Sequence, residues 1–377
     1  MSSLWRNPHQ RDVAAITRRI AFLDSWLQQT VAGSGTAAAI GGLGQALVEQ
    51  GHRVSRIAPH FQRPRDLTAR RLLFNVQLPA LLASLDYDLL VGFDIDGFLL
   101  SLLGSRKPYV CSIKGVIAEE LLNESGSIRH QLWRLSLLEG INARRAPLVV
   151  TTSEYCRRAI AQHYAVDAAK IRIVPEGIDL RRWLAFDARF ARRDEAAILC
   201  VARQYPRKHI ADLLHAFAIL RTPVPQASLV IIGDGPEHQN LRQLAQDLGI
   251  AAQTRFLGGL PDDNDVLAWY HRCAVFCLPS VQEGFGIVFL EAMAAGLPIV
   301  STSAAAIPEV VPDGEAGILV EPAAPIALAD ALTKLLTNAP LRARYSDFAR
   351  NYVAQYDWQQ VAQQFLRAIA QPGDGYN

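Results

Sequence analysis

Two acidic residues, Glu283 and Glu291, stand in a Glu-x7-Glu spacing around the turn Gly284-Phe285-Gly286. An ionised carboxylate accepts hydrogen bonds through two oxygens, so it is a good ligand for vicinal sugar hydroxyls and a poor one for phosphate. The chemistry that this spacing indicates is recognition of a ligand with several hydroxyl groups. For Glu-x7-Glu taken alone, surface glutamates on an ordinary turn and helix are the alternative.

The residues around this acidic pair predict the elements that position it. Ala274 to Leu278 is an apolar run typical of a buried strand, and a helix is predicted from Gly286 to Gly296, with Pro298 opening the next strand. A strand, a glycine loop and a helix N-terminus direct backbone N–H groups and the positive end of the helix dipole at one point, where a phosphate binds. With the two carboxylates, this predicts a pocket for a nucleotide diphosphate that carries sugars at both ends.

The run Pro279-Ser280-Val-Gln-Glu283-Gly-Phe-Gly286 resembles the donor-site signature of retaining glycosyltransferases of family 4. The resemblance extends over roughly residues 18–370 and is strongest from 171 to 322. It implies an α/β protein with the GT-B fold, in which two Rossmann-like α/β/α domains face an interdomain cleft and a C-terminal helix crosses back to the N-terminal domain. It also implies a catalytic role for Glu283 and donor binding by Gly284, Phe285, Gly286, Ile287, Val288 and Glu291.

The length of the chain and the distribution of its charges agree with two domains whose net charges differ in sign. The 377 residues, half of them hydrophobic, suffice for two sizeable α/β cores. Residues 1–185 hold 23 basic and 16 acidic residues, a net charge of +7, whereas residues 186–377 hold 15 and 20, a net charge of −5. The basic first half favours an anionic acceptor or a membrane surface, or it is simply a solubilising surface.

Cysteine spacing and hydropathy predict the compartment. The five cysteines form no CxxC motif and lie mostly in apolar runs, which is typical of buried thiols in a reducing cytosol. The sequence shows no leader-like apolar segment and no stretch of membrane-spanning length. We therefore expect a cytoplasmic protein, with peripheral contact at the inner membrane face left open.

A βαβ unit with a glycine-rich turn opens the first domain. Arg19 to Asp24 and Val54 to Ala58 are predicted strands, and Gly33-Ser34-Gly35 lies between them. A nicotinamide cofactor is disfavoured because the second strand ends without an acid for an adenosine ribose. By resemblance, Gly33, Ser34 and Gly35 face the cleft and help to bind the donor.

A basic segment with an aromatic residue follows the second strand, from His60 to Arg65, with Arg70-Arg71 after it. It indicates either an anionic lipid-linked acceptor or a solvated loop. Nucleic acid is not expected because no known nucleic-acid module surrounds the segment.

Polar residues end two further strands of the first domain. Asp94 and Asp96 follow the strand at Tyr87–Gly92, and capping or a cleft-lining role is favoured over a metal because no third ligand stands nearby. Lys114 ends the next strand, at the edge where ligands of open α/β sheets bind. Many relatives have a histidine there that contacts the donor sugar, so the resemblance implies a catalytic-site role for Lys114. The lysine could donate to a hydroxyl, a phosphate or the carboxylate of a uronic acid, or merely cap the strand.

The segment Ile171-Arg-Ile-Val-Pro-Glu176-Gly177-Ile-Asp179 resembles the family's interdomain crossing, where asparagine more often precedes the glycine. We therefore expect an N-terminal, acceptor-binding domain at 1–178, a nucleotide-sugar-binding domain at 179–357 and a returning helix within 358–377.

Two cations follow the first predicted strand of the second domain. Arg203 ends the strand and Lys208 comes five residues later, and in the family such a pair reaches the donor diphosphate. Because charge grows on the leaving phosphate as the glycosidic bond breaks, fixed cations stabilise the transition state more than the ground state. Arg207 is a less favoured substitute for Lys208.

Further glycine turns are predicted near the nucleotide. Gly233 and Gly235 permit a close backbone approach, and by resemblance the loop with Gly258 and Leu260 reads the base through its main chain. Ala305 and Ala306 replace a Gly-Gly pair of the family, which argues against a close backbone approach there.

The predicted function is transfer of a sugar from a UDP- or GDP-sugar to an acceptor hydroxyl, with retention of configuration, no bound metal and no cofactor other than the donor substrate. The acceptor would be a glycan, a lipid-linked or a small molecule, in glycan, glycolipid or exopolysaccharide biosynthesis. A GT-B glycoside phosphorylase and a nucleotide-sugar-binding protein with little catalysis are the alternatives. The sugar, base, acceptor and oligomeric state are not encoded in recognisable residues.

Overall fold

The computed structural model describes residues 17–26, 35–59, 67–105, 107–186 and 193–370. The first sheet contains β1 (Arg19–Leu23), β2 (Arg53–Ile57), β3 (Leu89–Phe93), β4 (Tyr109–Ile113), β5 (Leu148–Thr151) and β6 (Ile171–Ile173), in the spatial order β2-β1-β3-β4-β5-β6. The second contains β7 (Ala197–Val201), β8 (Ser228–Ile232), β9 (Thr254–Gly258), β10 (Val275–Leu278), β11 (Ile299–Thr302) and β12 (Gly317–Val320), in the order β12-β11-β10-β7-β8-β9.

All strand pairings in both six-stranded sheets are parallel, so helices must connect them. The first sheet is flanked by α1 (Gly35–Glu49), α2 (Leu67–Leu82), α3 (Phe98–Leu103), α4 (Ile117–Glu120), α5 (Gly126–Arg145) and α6 (Glu154–Tyr164). The second is flanked by α7 (Leu180–Ala185), α8 (Ile210–Leu220), α9 (His238–Asp247), α10 (Asp263–Arg272), α11 (Ile287–Ala294), α12 (Ile307–Val310), α13 (Pro325–Thr337) and α14 (Ala339–Tyr352). We call the two sheets with their helices the first and second lobes. The α/β fold with two Rossmann-like units is confirmed.

The central strands β1, β3 and β4 of the first lobe are buried on both faces. Along β1, Ile20 and Phe22 pack on one side with α1, whereas Ala21 and Leu23 pack on the other with α2. This alternation is the consequence of a side-chain period of two in a sheet covered by helices on both sides.

The last helix, α15 (Trp358–Ala368), leaves the second lobe and packs on α1 of the first. The indole of Trp358, the first residue of α15, packs against two glycines, where a larger residue would clash with the ring. A Cβ built on Gly42 would lie 2.2 Å from the Trp358 indole, and one built on Gly177 would lie 2.5 Å from it. The expected crossing of the C-terminal helix to the first lobe is therefore present.

The described residues contain no helix that is both long and apolar enough to cross a bilayer. The same part of the chain holds no group of three or more His, Cys, Asp or Glu side chains arranged to bind a metal ion. All five cysteines are buried and free of disulfide bonds, so the prediction that they are buried thiols is confirmed.

Candidate functional site

Helix α11 begins at a glycine whose conformation a larger residue would not adopt. Gly286 has φ of +91°, and a Cβ there would lie 2.6 Å from the ring of Phe289. No side chain of the described residues caps this helix. The first N–H groups of α11, from Ile287 and Val288, therefore have no side-chain acceptor among the described residues. Anion binding at these groups stays a prediction.

Across the cleft, Gly35 stands opposite this helix N-terminus. A Cβ built on Gly35, the first residue of α1, would lie 3.6 Å from Cδ1 of Ile287 in α11. Gly35 of the first lobe and Ile287 of α11 thus lie close together. Gly33 and Ser34, also expected to bind the donor, lie outside the described residues.

Lys208 and Glu283 form an ion pair at the carboxyl edge of the second sheet. Nζ of Lys208 lies 2.5 Å from Oε1 of Glu283, and the Ser280 hydroxyl donates to the same oxygen at 2.9 Å. The two charged side chains are 12% and 10% exposed. The structure therefore brings together two of the residues predicted to be catalytic.

Arg203, the other predicted cation, has a different environment. It is exposed, and it makes no ion pair with any residue that the structure describes. Its guanidinium carbon lies 5.8 Å from the centre of the Tyr205 ring. Arg203 is thus a charge held beside the Lys208 turn and available to a ligand.

Arg207 points away from this pair and toward the first lobe. Its guanidinium lies 3.6 Å from a Glu120 oxygen and 3.7 Å from a Glu124 oxygen. It therefore contributes a contact between lobes, and Lys208 is the cation on Glu283.

Glu291 lies inside α11, where the hydroxyl of Tyr270 donates to its Oε2 at 2.7 Å. Burial raises the pKa of the Glu291 carboxyl above its ordinary value, against the lowering effect of the Tyr270 hydrogen bond. The second carboxylate of Glu-x7-Glu is therefore a half-buried acceptor oriented by a tyrosine. The neighbouring Phe285 side chain is buried against Tyr356, so a ligand would contact Phe285 only through its main chain.

Lys114 is paired within its own lobe. Nζ of Lys114 lies 3.1 Å from Oε1 and 3.2 Å from Oε2 of Glu176, and the side chains are 7% and 4% exposed. Glu176 follows β6 at the crossing between the lobes. In the sequence, Glu176 was noted only because the family more often has asparagine at this position. Its ion pair with Lys114 was therefore not predicted. The one available signal was that positions 114 and 176 both depart from the family pattern.

Asp94 and Asp96 belong to a buried network below the edge of the first sheet. Asp96 accepts from the Ser25 N–H at 2.8 Å and its hydroxyl at 2.7 Å, and Arg71 lies 3.7 Å away. Asp94 accepts from the Lys114 N–H at 3.0 Å and from the Trp26 indole at 2.9 Å. The two acids join loops of the first lobe and do not cap the helix that follows them, since the N-cap of α3 is Gly97 and has no side-chain cap. The predicted helix-capping role is therefore not observed for α3.

Burial raises the pKa of Asp96 to about 6, although Arg71 and the Ser25 hydrogen bonds oppose this shift. Burial also raises the pKa of Asp94, again against the opposing charge of Arg71. Arg71 itself also stacks on the Trp26 ring at 4.5 Å. This arginine of the predicted basic segment is therefore engaged inside the lobe, whereas residues 60–66 lie outside the described part of the chain.

The glycines after β8 pack against the loop after β7. Gly233 has φ of +116°, and a Cβ there would lie 2.0 Å from the Ala202 carbonyl oxygen; one on Gly235 would lie 2.7 Å from the Gln204 backbone. These glycines thus let two strand-end loops touch beside Arg203. Gly258 ends β9 with φ of +66°, and the partly buried Leu260 packs against the core.

The loop from Glu283 to Gly286 contacts the first lobe directly. The carbonyl oxygen of Gly284 accepts from the Thr152 hydroxyl at 3.0 Å and the Ser153 hydroxyl at 2.8 Å. A Cβ on Gly284 would lie 3.0 Å from the Lys114 carbonyl oxygen. A side chain here would crowd the first lobe, so the close approach of the two lobes favours glycine at position 284.

Glu309, in α12 of the second lobe, binds the N-terminus of α6 in the first. Its carboxylate accepts from the backbone N–H groups of Glu154 and Tyr155, each at 2.7 Å. The charge faces the positive end of the helix dipole, which favours it. Sequence reasoning missed this role, because the motif Ile-Pro-Glu gives no sign of its partner.

Ala305 takes the conformation that a glycine would adopt without strain. Its φ is +53°, in the left-handed region, and the N–H of the next residue, Ala306, donates to the Glu283 carbonyl oxygen at 3.3 Å. The Ala305-Ala306 backbone therefore lies next to the Glu283 loop. The expectation that these alanines disfavour a close backbone approach to a ligand stays a prediction.

Solved structures of the GT-B class have the same fold. Sucrose-phosphate synthase from Thermosynechococcus elongatus superimposes with a TM-score of 0.77 at 21% identity, covering 92% of this chain and 97% of that one. HepE of Anabaena, solved in complex with UDP and glucose, gives a TM-score of 0.72 at 20% identity, covering 93% and 99%. The chain is a GT-B protein.

Sequence comparisons give the family. The profile "Glycosyltransferase Family 4" matches residues 33–182, and "Glycosyl transferases group 1" matches residues 182–352. The two matches adjoin and together span both lobes. The chain belongs to family 4 of the glycosyltransferases, as its motifs predicted.

Curated relatives match over part of their length. GDP-mannose-dependent alpha-(1-6)-phosphatidylinositol monomannoside mannosyltransferase of Mycobacterium tuberculosis is 33% identical over 231 residues, which is 57% of this chain and 59% of the relative. Glycogen synthase of the same organism is 32% identical over 252 residues, or 66% and 60%. The matched region thus spans about 60% of the length of these relatives.

Proposed function

We propose that this protein transfers a hexose from a nucleotide-diphosphate sugar to an acceptor hydroxyl, with retention of anomeric configuration and without a bound metal. The observation that carries the proposal is the juxtaposition of the Lys208–Glu283 pair and the uncapped N-terminus of α11 at one edge of the second sheet. Membership of family 4 supports the same reaction.

The phosphates would bind at the α11 N-terminus, where backbone N–H groups and the helix dipole favour an anion. Lys208 and Arg203 would stabilise the charge that grows on the leaving phosphate, because both follow β7 at that edge of the sheet. Glu283 fixes Lys208 at 2.5 Å and Glu291 is oriented by Tyr270, so each carboxylate is preorganised to accept from hydroxyls.

A general base is not needed from the protein in this proposal. The departing phosphate oxygen takes the proton of the acceptor hydroxyl as the new glycosidic bond forms on the same face of the sugar. Lys208 and Arg203 hold that oxygen in place. The first lobe, through Gly35 and the loops after its strands, would orient the acceptor.

Relatives and structural neighbours indicate which donors to test. A similar mannosyltransferase is named as GDP-mannose-dependent, and HepE was solved with UDP and glucose. The donor of this chain therefore belongs, in our proposal, to the UDP- or GDP-hexoses, and the acceptor to glycans or lipid-linked glycosides.

Thermal shift over a panel of UDP- and GDP-sugars, followed by transfer assays with the donor that binds, tests the proposal. Binding stabilises the native state by mass action, so the correct donor raises the melting temperature. Lys208→Met should lower kcat/KM about tenfold to a few hundredfold, because one charged hydrogen bond contributes about 1.5–3 kcal/mol. Glu291→Ala should weaken donor binding.

Arg344→Met is the matched control, because Arg344 is an exposed cation of α14. Wild-type-like affinity and turnover in folded Glu291→Ala and Lys208→Met proteins would contradict the proposed site. Phosphate-dependent breakdown of a glycoside without nucleotide would identify a phosphorylase instead. Tight nucleotide binding without transfer to any acceptor would identify a binding protein.

A further inference from the structure

The Lys114–Glu176 pair lies beside the loop that carries Glu283. Lys114 follows β4 and Glu176 lies beyond β6, both at the carboxyl edge of the first sheet. The second lobe meets Lys114 there, because a Cβ on Gly284 would lie 3.0 Å from the Lys114 carbonyl oxygen. The Lys114 backbone therefore lies where the two lobes meet, next to the loop of the proposed donor site, and its side chain with Glu176 lies directly behind.

The ammonium group of Lys114 needs a carboxylate partner at this position. With 7% of the side chain exposed, little water reaches the charge, and an uncompensated buried charge is strongly unfavourable. Glu176 supplies both oxygens, at 3.1 and 3.2 Å. Among the residues that the structure describes, no other carboxylate forms an ion pair with this ammonium group; Asp94 bonds to the backbone N–H instead.

A cationic lysine in a sugar site has two possible sources of a compensating carboxylate, which are the protein and the ligand. In this chain the protein has already provided it. We propose that Glu176 is a specificity-determining residue, which neutralises Lys114 so that the cleft selects donors with an uncharged hexose and rejects uronic acids. This inference rests on the proposed function of the cleft.

The selection follows from charge balance. Hydroxyl groups of a neutral hexose can donate to Glu176 and accept from Lys114 without separating the pair. The carboxylate of a uronic acid would add a second negative charge beside Glu176, and like charges at such a distance in a poorly hydrated site repel strongly. Removing the charge of Glu176 would leave Lys114 free to pair with that ligand carboxylate.

Competitive binding of donor pairs that differ only at carbon 6 tests this assignment. UDP-glucose with UDP-glucuronate, and GDP-mannose with GDP-mannuronate, keep the nucleotide constant within each pair. For wild type we expect the neutral member to bind more tightly. For Glu176→Gln we expect the ratio of the two dissociation constants to shift by about ten- to a hundredfold toward the uronate, the effect of one charge-assisted hydrogen bond.

The double variant Lys114→Met/Glu176→Gln is the matched control, because it removes both charges and leaves no unpaired one. It should not gain affinity for the uronate, and its melting temperature should be closer to wild type than that of Glu176→Gln. The assignment would be overturned if Glu176→Gln lost affinity for both donors of a pair by the same factor. It would also be overturned if the wild type preferred the uronate. A wild type that binds no member of either pair would overturn the proposed function together with this inference.

Discussion

Lys208 in the second lobe and Lys114 in the first are each bound by a carboxylate of the chain itself. Lys208 contacts Glu283 and Lys114 contacts Glu176, at 2.5 and 3.1 Å. Buried ion pairs contribute little net stability, because the desolvation penalty offsets the attraction. Their effect in this protein is therefore geometric, because each ion pair fixes the position of its lysine.

The buried acid Asp96 makes stability depend on pH. Its pKa is raised from 3.8 to about 6 by burial, so the native state binds a proton more tightly than the unfolded chain does. This group therefore contributes stability that is complete below a pH of about 4 and is lost as the pH rises through about 6. A shift of this size corresponds to roughly 3 kcal/mol.

Asp96→Asn removes this titration. The difference in unfolding free energy between wild type and the variant should therefore change by about 2–3 kcal/mol in favour of the variant as the pH is raised from about 4 to about 7. Denaturant titrations over this range measure it. Asp330→Asn, at an exposed position in α13, is the control for loss of an aspartate charge. A pH-independent difference for Asp96→Asn would show that the carboxyl ionises normally.

At the scale of elements, the sequence predicts the strands, turns and helices whose ends are marked by residues close by in the chain. The strand β10, the glycine turn and helix α11 were expected within two residues of their observed bounds, because an apolar run, Gly286 and Pro298 mark them. The contacts that assemble the site were not predictable in this way. Glu309 binds α6 and Arg207 reaches Glu120, and both depend on how two lobes approach each other.

Glu309 holds the two lobes in the arrangement observed, so its substitution should favour an open cleft. Glu309→Gln replaces one acceptor oxygen by an NH₂ group facing a backbone N–H. Because the side chain is exposed, we expect a cost of about 1 kcal/mol, and hence an increase of about fivefold in the KM for the donor. Small-angle scattering should show a larger radius of gyration.

Glu315→Gln is the control, since Glu315 is an exposed carboxylate near the end of α12. It should leave KM and scattering unchanged. If Glu309→Gln also scatters as wild type and keeps its KM, the contact with α6 does not hold the lobes together.

At the scale of the whole molecule, two passages of the chain connect the first lobe with the second. The chain passes from the first lobe to the second near Gly177 and returns through α15. The two passages are hydrogen-bonded, because the Ile178 N–H donates to the Tyr356 carbonyl at 2.9 Å and the Trp358 N–H donates to the Ile178 carbonyl at 3.1 Å. Trp358 then packs on Gly42 of α1. The relative position of the lobes therefore depends on a small region with one indole at its centre.

Neighbouring glycines of α1 provide the last test. A Cβ on Gly42 would lie 2.2 Å from Nε1 of Trp358, whereas one on Gly41 would have no neighbour within 4 Å. Gly42→Ala should destabilise the protein by about 1–3 kcal/mol, since Gly177 on the other side leaves the indole no room to move. Gly41→Ala should stabilise it by about 0.5–1 kcal/mol, because alanine is the better helix former. Denaturant unfolding of both variants measures the difference, and equal stabilities would mean that Trp358 does not seat α15 on the first lobe.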